Sequence, residues 1–337
     1  MLLVGIGDLF IPAHYIEEGM KELERYGIRI SAWDWKVKDF DELQRINLLV
    51  EQGGCEQIEI PDEIMNEAEK ADILITQFFP VGKKMIDSCK KLKYIGILRS
   101  GVENVNVEYA KQKGVTVFHA VGRNAHAVSD FTIGLMICEA RNIARGHEGM
   151  KKGLWIREYS NSNSIPDLYN KTVGIVGYGE IGKLVAQKLS GFDVQILIHD
   201  PFYKENEMEN VDLDELMRRS DFITIHARLT EENVHMIGEK EIGLMKSTAY
   251  LINTSRAGLV DEKALYHALK EKHIAGAAID VYSKEPPEKN YPFLALDNVT
   301  LTPHMAGGSR DAFFNTPRLM AKEIAAFMQG ENTRFLL

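Results

Sequence analysis

The sequence VGIVGYGEIG at residues 173–182 constrains the fold of this chain more than any other segment. A β-rich run, 172–176, leads into three glycines with the spacing Gly-x-Gly-x-x-Gly. A helical stretch follows at 183–189, and a second apolar run then ends in Asp200. A strand, a glycine turn, a helix and a second strand that ends in an acid form the fingerprint of a dinucleotide-binding unit. A glycine-rich turn of some other α/β protein would not require all four parts.

Each glycine of the fingerprint has its own physical role. Gly177 permits the tight turn, Gly179 lets the backbone approach a pyrophosphate, and Gly182 lets the helix pack closely on the strand. The N–H groups and positive dipole of the helix start attract the phosphates. Asp200 can accept hydrogen bonds from ribose hydroxyls and would repel a 2′-phosphate, which favours NAD over NADP. The fingerprint residues predicted to contact NAD are Gly177, Tyr178, Gly179, Glu180, Ile181, Gly182 and Asp200.

The length and composition exclude several classes of protein. A chain of 337 residues, with about 170 before the fingerprint, has room for two domains. A net charge of −9 without a basic block argues against a nucleic-acid partner. No apolar run approaches the ~20 residues that cross a membrane. The apolar run at residues 1–6 is too short for the core of a signal peptide and lacks a basic start. Three cysteines, Cys55, Cys89 and Cys138, are far apart, so we expect reduced thiols in a cytoplasmic protein and no metal site.

Short apolar runs alternate with helical stretches along the chain, which predicts parallel sheets with helices on both faces. We expect strands near 2–6, 28–33, 72–76, 94–98 and 115–118, and, with the two fingerprint strands, near 222–226, 249–253, 275–280 and 299–301. We expect helices near 12–26, 61–70, 83–90, 107–114, 125–150, 213–219, 239–245, 262–272 and 311–329. The second group has six strands, as a complete doubly wound sheet requires. The segment 52–55 is a loop or insertion without an assignment.

Three loops after late strands carry the reactive side chains. They contain Arg256, Glu285 and His304. Because ligands bind at the carboxyl ends of strands in open α/β sheets, these three side chains are expected to converge beside the nicotinamide. Taken singly, each could be an ordinary loop residue, a surface charge or a solvated turn residue. Their positions at successive strand ends of one fingerprinted domain favour catalysis.

The chain resembles the D-isomer-specific 2-hydroxyacid dehydrogenase family over nearly all of its length. The resemblance rests on RSGVENV at 99–105, NAHAVSDFT at 124–132, the fingerprint, INTSRAGLVDE at 252–262, the segment 280–285 and TPHMAGG at 302–308. It implies a Rossmann doubly wound sheet inserted into a discontinuous, flavodoxin-like substrate domain, with a cleft between the two domains and a homodimer. The implied bounds are 1–121 with 304–337 for the substrate domain, and 122–303 for the NAD-binding domain.

The resemblance also implies roles for individual residues. His304 would act as general acid/base on a 2-oxo acid, and Glu285 would favour its charged form. Arg256 would bind the substrate carboxylate and polarise the carbonyl, with donors from Ser100 and Gly101. The further cofactor contacts that we predict are His226, Thr254, Asp280 and Gly307, of which Asp280 would accept from the nicotinamide carboxamide.

Three segments do not decide which acid is the substrate. The family commonly has His-x-Pro where this chain has His226-Ala227-Arg228, so the loop loses a fixed φ and gains a cation without an assigned role. Arg99 could bind a second anionic group or form a structural ion pair. The two aromatic residues within 77–80 could narrow the substrate pocket or belong to the core.

The sequence therefore predicts an NAD-dependent oxidoreductase that transfers hydride between NAD(H) and a small 2-oxo or 2-hydroxy acid, mainly as a reductase. One alternative is oxidation of a small anion such as formate or phosphite. Another is an NAD-sensing binding protein, similar to transcriptional corepressors that resemble these enzymes.

Overall fold

The computed structural model describes residues 1–337, which form two compact units. The first unit comprises 1–124 and 309–337, and the second comprises 125–308. Both boundaries lie a few residues beyond those expected from the sequence, and His304 consequently belongs to the second unit. The reason is local, because hydrogen bonds to Asp280 tie the loop around His304 to the second sheet.

The first unit is built on a five-stranded parallel sheet. Its strands are β1 (Leu2–Gly7), β2 (Arg29–Asp34), β3 (Ile73–Thr76), β4 (Tyr94–Ile97) and β5 (Thr116–His119). They pair in the order β2-β1-β3-β4-β5, with every pair parallel. This strand order is that of flavodoxin-like sheets, as the resemblance implied.

Helices cover both faces of the first sheet. They are α1 (Ala13–Met20), α2 (Phe40–Gly53), α3 (Asp62–Ala68), α4 (Lys83–Ser88) and α5 (Val107–Gln112), joined by the C-terminal helix α12 (Arg310–Met328). Successive residues of β3 point to opposite faces. Ile73 and Ile75 pack in the core under α1 and α12, whereas Leu74 packs in the core under α2 to α5.

Helix α2 was not expected from the sequence. Only Leu43 and Val50 are buried among its 14 residues, so its apolar periodicity is weak. The helix begins at an N-cap, where Asp39 accepts a hydrogen bond from the backbone N–H of Glu42 at 2.9 Å. It ends before Gly54, which has a φ of +82°. The unassigned segment 52–55 is therefore the end of a surface helix.

The second unit is built on a seven-stranded parallel sheet. Its strands are β6 (Thr172–Val176), β7 (Gln195–His199), β8 (Glu209–Asn210), β9 (Phe222–Ile225), β10 (Tyr250–Asn253), β11 (Gly276–Ile279) and β12 (Val299–Leu301). They pair in the order β12-β11-β10-β9-β6-β7-β8. This is the doubly wound order with one further strand. The order in which strands are added to the sheet reverses between β6 and β9, which are themselves parallel. The α/β class with a Rossmann sheet inserted into a flavodoxin-like unit is confirmed, but the count of six strands was wrong. The strand that was missed, β8, has two exposed polar residues and no apolar run.

The helices of this unit are α6 (Ala125–Ala140), α7 (Ile143–Lys151), α8 (Glu180–Leu189), α9 (Leu213–Arg219), α10 (Glu239–Gly243) and α11 (Glu262–Lys270). The single helix expected over 125–150 is thus two helices. Asn142 separates them with a left-handed φ of 56°, and its side chain bonds Asn161 and Arg145 at 2.7 and 2.9 Å. None of the helices in the chain combines the length and apolarity that crossing a bilayer requires.

Candidate active site

The glycine turn after β6 has the shape that a dinucleotide requires. Gly177 has a φ of 90°, and a Cβ there would lie 2.5 Å from the backbone nitrogen of Ala227. A Cβ on Gly182 would lie 2.3 Å from the carbonyl oxygen of Gly177, so neither position admits a side chain. At Gly179 a Cβ would meet no atom within 4 Å. Because no side chain caps the start of α8, its N–H groups and the open space at Gly179 fit a pyrophosphate.

Asp200 follows β7 and lies beside this turn. Its Oδ2 accepts a hydrogen bond from the backbone N–H of Tyr178 at 2.7 Å, and its Oδ1 accepts one from Phe202 at 2.8 Å. The backbone N–H of Tyr178, a residue predicted to contact the cofactor, is therefore bonded within the protein. Each carboxylate oxygen keeps a further acceptor position, which suits a ribose hydroxyl.

His226 follows β9, on the other side of the point where the strand order reverses. Its Nε2 lies 3.0 Å from the Thr224 hydroxyl, whereas its buried Nδ1 has no partner. Burial lowers the pKa of His226 to about 3, so the ring is neutral at neutral pH. A neutral ring with one unpartnered nitrogen next to the glycine turn fits a hydrogen bond to the cofactor.

The loop after β10 carries Arg256. Asn253 shapes it, because its side chain accepts from the N–H of Ser255 at 3.0 Å and donates to the carbonyl of Arg256 at 3.0 Å. Nη1 of Arg256 donates to the Ser255 carbonyl at 2.7 Å, and the side chain is otherwise exposed. Thr254 is buried, and its hydroxyl bonds that of Thr132 in α6 at 2.8 Å. The hydrogen bonds of Asn253 and Thr254 therefore fix the backbone of this loop, which carries the guanidinium of Arg256.

Asp280 follows β11 and is fully buried. Its Oδ1 accepts from the Thr302 hydroxyl at 2.6 Å and from the N–H of Met305 at 3.0 Å, and its Oδ2 accepts from the N–H of Ala306 at 2.9 Å. These bonds hold the loop that contains His304 and leads to the half-buried Gly307. The contact that the structure gives Asp280 is therefore with this loop.

His304 and Glu285 form the one close acid–imidazole pair of the site. Nδ1 of His304 lies 2.7 Å from Oε2 of Glu285, and both side chains are partly exposed. The other carboxylate oxygen of Glu285 accepts from the N–H of Tyr282 at 3.1 Å. His304 itself has a φ of 49° and donates its N–H to the Thr302 carbonyl at 3.0 Å. Because Nδ1 is engaged, Nε2 is the nitrogen left for proton transfer. No hydrogen bond joins Arg256 to this pair.

In the first unit, the segment after β4 contains Arg99, Ser100 and Gly101. The guanidinium of Arg99 donates to Asn47 at 2.9 Å and to Glu51 at 3.0 Å. The Ser100 hydroxyl donates to the carbonyl of Ala120 at 3.3 Å, and a Cβ on Gly101 would lie 2.9 Å from Nη2 of Arg99. Of the two interpretations of Arg99, these contacts favour the structural ion pair.

Two buried groups of the first unit were missed by the sequence analysis. Gln77 follows β3, and both polar atoms of its amide are buried without a hydrogen-bond partner. Nη1 of Arg123 is also buried without a partner. In the sequence, Gln77 is notable only for the two aromatic residues that follow it. Arg123 precedes the segment 124–132 and belongs to no recognised motif. Their lack of partners depends on distant residues, so no local sequence signal could have revealed it.

Comparison with known proteins gives a consistent result. The family described as D-isomer specific 2-hydroxyacid dehydrogenase, NAD binding domain, matches residues 133–306. A D-3-phosphoglycerate dehydrogenase of Methanocaldococcus jannaschii is 38% identical over 277 residues, which are 80% of this chain and 52% of that protein. A glyoxylate reductase of Korarchaeum cryptofilum is 36% identical over 275 residues, 80% of this chain and 83% of that protein. The chain thus spans about half the length of the first relative and most of the second.

The fold of the whole chain is also found among solved structures. The NAD-complexed D-isomer specific 2-hydroxyacid dehydrogenase from Lactobacillus delbrueckii ssp. bulgaricus superposes over 100% of both chains with a TM-score of 0.78 at 20% identity. That identity supports the fold alone, whereas the family match and the relatives above 35% identity establish the relationship. The chain belongs to the D-isomer-specific 2-hydroxyacid dehydrogenase family, and its second unit is that family's NAD-binding domain.

Proposed function

We propose that this protein catalyses the NAD-dependent reduction of a small 2-oxo acid to the corresponding D-2-hydroxy acid. The observation that carries the proposal is the 2.7 Å contact between His304 and Glu285. It lies in a loop that Asp280 fixes at the carboxyl edge of the dinucleotide-binding sheet. The names of the relatives, D-3-phosphoglycerate dehydrogenase, glyoxylate reductase and hydroxypyruvate reductase, refer to 2-hydroxy or 2-oxo acids and agree with this activity.

His304 supplies the proton in this proposal. The Glu285 carboxylate accepts from Nδ1–H, fixes the ring orientation and stabilises the imidazolium. Nε2 then donates a proton to the carbonyl oxygen of the substrate as that oxygen becomes an alcohol. In the reverse direction the neutral ring accepts the proton from the hydroxyl group. Positioned proton transfer of this kind contributes roughly 10²–10⁴-fold to a rate.

The substrate carboxylate is bound by Arg256 in this proposal. A guanidinium presents a planar fork of donors that matches a carboxylate, and the Asn253 side chain holds the backbone that carries it. Ser100 and Gly101 add donors to the same carboxylate. Arg99, tied to Glu51 and Asn47, positions that segment.

The residues of the second unit hold NAD. The N–H groups of Gly179, Glu180 and Ile181 at the start of α8 would bind the phosphates, and Asp200 would accept from the ribose. His226, Thr254, Asp280 and Gly307 would contact the cofactor on its nicotinamide side. When it is bound, the nicotinamide supplies the hydride. The protein's part is to orient the acid, exclude water and deliver the proton.

Two alternatives receive less support. Oxidation of formate or phosphite would not agree with the relatives, which are named for 2-hydroxy or 2-oxo acids. An NAD-sensing binding protein would not need an oriented imidazole–carboxylate pair. The dehydrogenase uses both groups.

We further propose a homodimer that forms through α7 and the segment after it. Several large apolar side chains are exposed there, with Trp155 at 79% exposure and Ile143, Met150, Leu154 and Ile156 each near half. A patch of this kind marks an interface. Sedimentation should give twice the 38.1 kDa chain mass, and Trp155→Asp should shift the protein towards single chains. A single-chain mass for the unaltered protein at all concentrations would contradict the dimer.

We also propose that the protein works in the cytoplasm. Cys55, Cys89 and Cys138 are all free thiols. Burial raises the pKa of Cys55 and of Cys89 to about 11, so these two thiols are unreactive at neutral pH. Free buried thiols are typical of a reducing compartment.

The direct test is loss of NADH absorbance with a panel of 2-oxo acids, run in parallel with NADPH. The panel extends from glyoxylate and pyruvate to branched, phosphorylated and sugar-derived acids. We expect saturable turnover of one class with NADH, and much slower turnover with NADPH because the carboxylate of Asp200 repels a 2′-phosphate. Absence of turnover across the panel, with NADH binding demonstrated, would contradict the reductase.

A further inference from the structure

The carboxyl ends of the strands in the first unit hold two polar side chains that no other residue satisfies. Gln77 is 1% exposed, and neither its Nε2 nor its Oε1 has a hydrogen-bond partner. Nη1 of Arg123, in the turn between β5 and α6, is also buried without a partner. Buried polar groups are nearly always hydrogen-bonded, because an unsatisfied one loses its solvation without compensation. Two such side chains in one region therefore point to a ligand.

The segments that carry Gln77 and Arg123 meet at Asp8, which follows β1. Oδ2 of Asp8 accepts from the backbone N–H of Phe78, the residue after Gln77, at 3.3 Å, and the charge of Asp8 interacts with that of Arg123. The guanidinium of Arg123 lies 4.8 Å from the centre of the Phe313 ring in α12. Gln77 and Arg123 thus belong to the same edge of one sheet, at the carboxyl ends of its strands.

Asp8 is the acid whose charge interacts with that of Arg123, but no hydrogen bond joins the two side chains and Nη1 of Arg123 stays without a partner. Arg99 is already paired with Glu51 and approaches Glu103 at 3.5 Å. Asp8 accepts from the backbone N–H groups of Phe10 and Ile11 at 2.9 and 3.0 Å, and burial raises its pKa to about 6. Burial and the nearby Arg99 lower the pKa of Arg123 to about 10, with Asp8 opposing, so Arg123 stays cationic at neutral pH. Nη1 of Arg123 is therefore a buried, charged donor without an acceptor, and an anionic oxygen is the acceptor that such a donor binds most strongly.

We propose that Gln77 and Arg123 bind a second acidic group of the substrate, either a carboxylate or a phosphate. This inference rests on the proposed function and narrows it to 2-oxo acids that carry two acidic groups. Oxygens of the second group accept from Nη1 of Arg123 and Nε2 of Gln77. The sequence suggested Arg99 as a candidate for this role, but the guanidinium of Arg99 is paired with Glu51, whereas Nη1 of Arg123 has no partner.

Matched pairs of substrates test the proposal on the unaltered enzyme. 2-Oxoglutarate is compared with 2-oxopentanoate, which has the same carbon chain without the second carboxylate. 3-Phosphohydroxypyruvate is compared with hydroxypyruvate, which lacks the phosphate. We expect kcat/KM to be roughly 10- to 100-fold higher for the two-acid member of one pair, as a charge-assisted contact predicts. The pair that shows the preference identifies the group. Equal kcat/KM within both pairs would overturn this proposal and would leave the proposed reductase function unaffected.

Three variants then locate the site. Arg123→Met should lower kcat/KM for the two-acid substrate roughly 10- to 100-fold and leave kcat/KM for the one-acid member of the pair nearly unchanged, while Arg123→Lys retains part of the preference. Gln77→Leu should reduce the preference and raise the Tm of the free protein, because it removes an unsatisfied amide. Arg45→Met, at an exposed ion pair on α2, is the control and should keep the preference. Equal losses for both members of a pair would show a structural role and overturn the assignment. No turnover with any acid would refute the proposed function, and this assignment with it.

Discussion

Replacing His304 by glutamine is expected to lower kcat for 2-oxo acid reduction by roughly 10²–10⁴-fold, the usual contribution of a positioned general acid. Glutamine keeps a polar side chain that reaches Glu285 but has no transferable proton near neutral pH. NADH affinity should be unchanged, because the glycine turn and Asp200 lie on other strands. Steady-state kcat with NADH, together with a fluorescence titration of NADH, checks both parts.

The matched control is His235→Gln. His235 is exposed and has a φ of 55°, close to the 49° of His304, so any backbone cost of the substitution is shared. We expect this control to retain full activity. Glu285→Gln should lower kcat less than His304→Gln, because it weakens the orientation of the ring and leaves its proton in place. If His304→Gln turned over as fast as the unaltered enzyme, His304 would not be the acid.

Replacing Arg256 by glutamine is expected to lower kcat/KM by roughly 10²- to 10³-fold, since each charge-assisted hydrogen bond to a carboxylate contributes about 1.5–3 kcal/mol. Arg256→Lys should recover only part of this loss, because an ammonium lacks the planar fork. An added alkylguanidinium should partly rescue the glutamine variant, as the side chain is exposed and leaves open space when shortened.

The control for this variant is Arg218→Gln, which breaks an exposed ion pair on α9. Exposed pairs contribute little to stability, so activity and Tm should both stay unchanged. A glutamine variant of Arg256 that kept its kcat/KM would show that the carboxylate binds elsewhere.

The parts of the fold that sequence could predict are those with local causes. The glycine turn was predictable because Gly177 and Gly182 exclude any Cβ by contacts within one βαβ unit and its neighbouring strand. The loops of Glu285 and His304 were predictable as neighbours because strands of a parallel sheet end at one edge. Their contact at 2.7 Å needed the structure, since it depends on how Asp280 holds the second loop.

Other parts depend on distant partners and could not be predicted. The break between α6 and α7 follows from the hydrogen bond between Asn142 and Asn161, which a pattern of apolar residues does not reveal. The pairing of Arg99 comes from α2, a helix with too little apolar periodicity to be recognised. The isolation of Gln77 and Arg123 is a property of what surrounds them in space.

Transfer of deuterium from NADH that carries deuterium at both C4 positions of the nicotinamide tests the proposed hydride transfer directly, whichever face of the ring is used. The protein would be incubated with the 2-oxo acid that turns over best, and the product examined by mass spectrometry and chiral chromatography. We expect a D-2-hydroxy acid with the deuterium at C2 and its hydroxyl proton from solvent, at a rate that His304→Gln lowers. A product without deuterium at C2, or one of the opposite configuration, would contradict it.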